Sequence, residues 1–104
     1  MARQAHALYQ DAARVRSDIE DLKVRMDRAM SKGEISHPAL LVLNMSLLQP
    51  AHKLYSTMKG IELSAKRGPF TSSKAQFFWE KIAVNRAMFE QTAHIFSLMK
   101  KRKL

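Results

Sequence analysis

The sequence predicts an all-α protein of three long helices. Apolar residues recur at helical spacing in three long stretches, and the two short segments between those stretches carry helix-stopping chemistry. The expected spans are residues 3–31, 37–66 and 73–100, packed as an antiparallel three-helix bundle or as a dimer of helical hairpins. A fourth helix results if the chain breaks near Pro50.

The first stretch has the most regular pattern. Met1, Ala5, Leu8, Ala12, Val15, Ile19, Leu22, Met26 and Ala29 follow one another at spacings of four and three without interruption. Such a seam, with a period of about 3.5 residues, needs a partner helix along its whole length. Two partners fit. One is a second copy, with Leu8, Val15, Ile19, Leu22 and Met26 as the self-association residues. Asp11 and Asp18 then fall at g positions and Arg16 and Lys23 at e positions, so parallel copies set unlike charges opposite each other. The other partner is the chain's own later helices.

"SKGEISHP" separates the first helix from the second. Gly33 suits the left-handed residue that ends a helix, Ser36 suits the next N-cap, and Pro38 suits a first helical turn. The second stretch is apolar nearly all round from Pro38 to Leu48, which predicts the most buried part of the molecule. Beyond it, Ala51, Leu54, Tyr55, Met58, Ile61 and Ala65 make a one-sided stripe. Pro50 lacks a backbone donor and crowds the preceding turn, so a kink or break is expected between Ser46 and Pro50.

"KRGPFTSSKAQFFWE" stops the second helix and starts the third. Gly68 and Pro69 terminate, Ser73 with Gln76 has capping-box spacing, and Phe70 is placed to act as an apolar staple. The core face of the third helix reads Ala75, Phe78, Ile82, Phe89, Ala93, Phe96 and Met99, interrupted by Asn85. Phe77, Trp79, Val84, Met88 and Ile95 lie off that face, which predicts more than one neighbour.

Length and composition fit a single folded domain of 104 residues, 46% apolar and 26% charged, with residues 100–104 as a basic tail. There is no cysteine, so disulfides and thiolate metal sites are excluded. The N-terminal residues lack the apolar core of a signal peptide, and no stretch is long enough to span a bilayer, so a cytoplasmic location is expected. The net charge of +9 is unevenly placed. Residues 1–52 hold seven Lys and Arg against six Asp and Glu, whereas residues 53–104 hold eleven against three. An anionic partner should therefore meet the second half.

Catalytic chemistry has little to work with. Glu90 and His94, four apart on one helical face, are the single metal-like or acid–base pair. His6, His37 and His52 stand alone. No phosphate-binding glycine loop and no nucleophile elbow is present. The expectation is a non-enzymatic protein without cofactor or metal. Its candidate anion-binding residues are Lys66, Arg67 and Lys74 around the start of the third helix, where free amides and a positive dipole end add to the field, and Lys100, Lys101, Arg102 and Lys103 at the tail. An acidic protein is the expected partner, with a homodimer through the first helix. Nonspecific nucleic-acid binding is the alternative, because no polar helix face is laid out to read base edges.

Residues 22–61, "LKVRMDRAMSKGEISHPALLVLNMSLLQPAHKLYSTMKGI", resemble the needle and inner-rod subunits of type III secretion systems. Those subunits have a helix, a Pro-containing turn, and a second helix with a "PxLL" start, a leucine-rich middle, an "LY" and a late Lys-hydrophobic step. Pro38, Leu40, Leu41, Leu48, Leu54, Tyr55, Lys59 and Ile61 match them here. The resemblance implies a helical hairpin that assembles, as a secretion-apparatus component or its chaperone.

Overall fold

The computed structural model describes residues 3–104, so Met1, at the head of the predicted seam, lies outside the described residues. The chain forms three helices, α1 (Arg3–Ser31), α2 (His37–Lys66) and α3 (Ser72–Arg102), each packed on the other two. Together they make a rod of about 51 × 17 × 17 Å.

Local chemistry sets the helix ends. Gly33, with φ +75°, closes α1, and the Glu34 N–H reaches back to the Ala29 carbonyl at 2.8 Å. The Ser36 hydroxyl then accepts the Ala39 N–H at 3.2 Å, with Pro38 in the first turn of α2. Gly68, with φ +149°, turns the chain after α2. The cap of α3 is Thr71 rather than Ser73. Its hydroxyl accepts the Lys74 N–H at 3.2 Å, and Gln76 pairs instead with Glu80 on the next turn. Thr71 stands in extended backbone, as an N-cap requires, whereas Ser73 is already helical. Phe70 stacks on Phe78, with ring centroids 6.1 Å apart, and fastens this loop to the core.

The α1 seam is fully enclosed by its own chain. Leu8, Val15, Ile19, Leu22 and Met26 are all buried, in one core with Leu43, Leu47, Leu54 and Ile61 of α2 and Phe78, Ile82 and Phe96 of α3. The predicted self-association seam is therefore unavailable to a second copy unless the bundle opens. Two of the four charges assigned to pairing between copies, Asp11 and Arg16, are also used within the chain. Arg86 on α3 donates to Asp11 at 2.7 Å, and Arg16 pairs with Glu20 at 3.7 Å while lying over the Tyr55 ring.

α2 differs from expectation in two respects. It runs without a break through Pro50, so there are three helices and not four. The missing donor strands only the Ser46 carbonyl, on an exposed residue where water can satisfy it, while the Pro50 ring is buried in the core. The segment from Pro38 to Leu48 is also only half buried. Leu40, Leu43 and Leu47 face the core, while Leu41, Val42, Met45 and Leu48 point outward. A helix with two neighbours covers about half its circumference, so an all-round apolar helix must leave a face bare. Tyr55, predicted on the inner stripe, is instead 48% exposed at its edge, with Arg16 and Lys59 over its ring.

Candidate interaction surface

Among the described residues, α2 contributes to two uncovered apolar surfaces. The first is the outward stripe of Leu41, Met45 and Leu48 with Val42 beside it; Met45 is 69% and Leu48 61% exposed. Residues 35–52, which contain this stripe, include no Asp, Glu, Lys or Arg. The second is an open groove of about 770 Å³ between the C-terminal half of α2 and the N-terminal half of α3. Leu63, Phe77 and Val84 supply its apolar walls, and Lys53, Arg67 and Lys81 stand at it with Glu80 as the opposing charge.

Close packing of the two helices shapes this groove. Gly60 lies under Phe78, where an added Cβ would come within 3.2 Å of the ring, so glycine lets α3 approach α2 here. Phe77 meets Phe78 edge to face at 5.3 Å, and the Lys81 ammonium sits 4.8 Å from the Phe77 ring centre. Phe77 is thereby held outward beneath a cation, as a partly solvated cation–π pair.

Asn85 adds an unusual polar feature to the groove. It is only 2% exposed, its amide nitrogen donates to the Lys81 carbonyl at 2.8 Å, and its Oδ1 has no hydrogen-bond partner. The other buried polar residues, Thr57 and Thr92, likewise donate one turn back, to the Lys53 and Met88 carbonyls. A buried acceptor without a donor costs free energy that a bound group could recover.

The predicted anion-binding residues separate into two clusters. Lys66 and Arg67 at the end of α2 and Lys74 at the start of α3 surround one end of the rod. The Lys74 ammonium is bonded to the Pro69 carbonyl at 3.3 Å, so it secures the loop. Lys100, Lys101 and Arg102 form the last turn of α3, and Lys103 follows in the left-handed conformation with φ 56°. The Leu104 N–H bonds to the Met99 carbonyl, and the Leu104 carbonyl accepts the Ser36 N–H, both at 3.0 Å. The tail is thus folded against the start of α2, and Lys100 lies 5.1 Å from the Phe96 ring centre. At 1.5 Å per residue, Lys74 and Lys101 are about 40 Å apart along α3, too far for one compact anion.

Glu90 and His94 are exposed neighbours on α3, and among the described residues no group of three or more His, Asp or Glu is placed to hold a metal ion. Among the described residues, no helix is long and apolar enough to cross a membrane. Sequence reasoning missed Lys53, Lys81 and the groove itself. The available signal was Phe77 and Val84 lying off the core face of α3, with Lys81 one turn from each.

No family model matches the chain. No curated protein and no solved structure matches it either.

Proposed function

We propose that this protein is a non-enzymatic interaction module, an up-down-up helical bundle that takes an acidic, amphipathic protein segment into the α2–α3 groove. The observation that carries the reading is the pairing of apolar walls, Leu63, Phe77 and Val84, with three cations against one carboxylate. A helix laid in such a groove buries its apolar face on those walls and sets its acidic flanks against Lys53, Lys81 and Arg67. The excess positive charge of residues 53–104 favours the same partner at long range and raises its association rate. An assembly role of the kind implied by residues 22–61 would use the same exposed faces.

The test is affinity capture from cells with wild type and a Lys53→Glu/Lys81→Glu variant, followed by mass spectrometry. Acidic proteins held by the wild type and lost by the charge-reversed variant are the expected result. A captured set unchanged by the reversal overturns the reading. A salt titration against random-sequence nucleic acid runs beside it. Binding that persists near physiological salt, with a log–log slope that flattens as Lys100, Lys101, Arg102 and Lys103 are changed to Gln, would assign the field to phosphates instead.

A further inference from the structure

We infer that the outward stripe of α2 is a self-association face, on which two copies pair antiparallel about a two-fold axis near Met45. Leu41, Val42, Met45 and Leu48 form an apolar face that the chain does not cover, on an 18-residue stretch free of Asp, Glu, Lys and Arg. A chain of net charge +9 repels its own copy over most of its surface. The uncharged stripe is where two copies can meet without setting like charges face to face. An acidic partner gains nothing there, because no cation stands in the stripe to receive it. An isologous contact needs one self-complementary patch, and a row of apolar side chains is complementary to itself.

Charge placement also selects the orientation. The cations Lys100 to Lys103 are held beside the start of α2 by the Leu104–Ser36 hydrogen bond. Parallel copies would set the two clusters side by side. With the axis near Met45, residue 36 of one copy lies opposite residue 54 of the other. The two clusters then stand about 27 Å apart along the helix, beyond a Debye length of about 10 Å at 0.1 M salt, and each lies level with the single cation Lys53 of the other copy instead of with a second cluster of four. Pairing in this sense also places Leu41 of one copy against Gln49 of the other. Leu63 and Phe77 of the groove lie beyond the paired span of residues 36–54, with Lys53 at its edge, so a dimer would present two grooves.

Sedimentation equilibrium on the full chain tests the proposal. Wild type should associate to dimers as concentration rises, whereas Met45→Lys and Leu48→Lys should remain monomeric with unchanged helical circular dichroism. Added salt should leave the dimer intact or tighten it, since the contact is apolar and the long-range repulsion is screened. The native chain has no cysteine, so engineered thiols report orientation on a clean background. An equimolar mixture of Leu41→Cys and Gln49→Cys chains should give the mixed disulfide. A wild-type chain that stays monomeric up to about 1 mM, a dimer that survives Leu48→Lys, or Leu41→Cys chains that link to each other in preference to Gln49→Cys would each overturn the inference. Loss of dimers with acidic capture retained would confine the variants' effect to the stripe, separating this inference from the groove reading.

Discussion

The stripe and the groove are both bare apolar surfaces on α2, yet their surroundings differ. The stripe has four outward apolar side chains and no formal charge over residues 35–52. The groove has a comparable apolar content enclosed by Lys53, Arg67 and Lys81. Apolar area supplies attraction without direction, so charge decides which partner each surface accepts. One surface suits its own likeness, the other an acidic segment.

The largest effect separates both surfaces from the core. Leu22→Lys and Leu48→Lys make the same chemical change on buried and exposed leucines. The first should cost about 3–5 kcal/mol, from lost burial and an unpaired buried charge, and leave the chain largely unfolded. The second should move stability by less than about 0.5 kcal/mol. Urea unfolding midpoints compare the two directly, and similar midpoints would mean that the α1 seam is not the core.

Charge reversal of Lys53 and Lys81 acts chiefly on the groove. It should reduce affinity for an acidic partner about tenfold, chiefly by slowing association, as read by stopped-flow mixing at two salt concentrations. Dimerisation through the stripe should be kept or tighten slightly, since residue 53 lies level with Lys100 to Lys103 of the other copy.

A smaller effect has the opposite sign. Asn85→Leu removes the buried acceptor that lacks a donor, and the Lys81 carbonyl keeps its helical partner. Stability should rise by up to about 1 kcal/mol. Destabilisation in the urea midpoint would show that Oδ1 is satisfied in solution.

Replacement of Lys100, Lys101, Arg102 and Lys103 by Gln should cost about 1 kcal/mol or less, from lost compensation of the α3 dipole and weak surface electrostatics. Thermal unfolding measures it. A loss of several kcal/mol would make the tail part of the core architecture.

The sequence made α1 legible almost residue by residue, because spacings of four and three leave one possible inner face, and that face is buried. Gly33, Ser36 and Pro38 were legible because each matches one conformational need at a helix end. The exposed half of Pro38 to Leu48 was not. When apolar residues surround a helix, periodicity no longer says which side is covered; that depends on the number of neighbours. The break allowed at Pro50 does not form, since a helix tolerates one lost hydrogen bond when the ring is buried. The groove was partly legible in Phe77 and Val84, off the core face of α3, but Lys53 on α2 is brought to them only by tertiary packing.

The buried polar residues carry a mechanical consequence. Thr57, Asn85 and Thr92 each bond to their own helix, and among the described residues the Arg86–Asp11 pair is the one side-chain hydrogen bond joining two helices. Apolar packing contacts slide with less directional penalty than hydrogen bonds, so away from the Leu104–Ser36 backbone bond at one end, the register between α2 and α3 is held by side-chain shape. At the groove end, small shifts of α2 against α3 break no side-chain hydrogen bond between them, so a segment entering the groove meets walls held by packing alone.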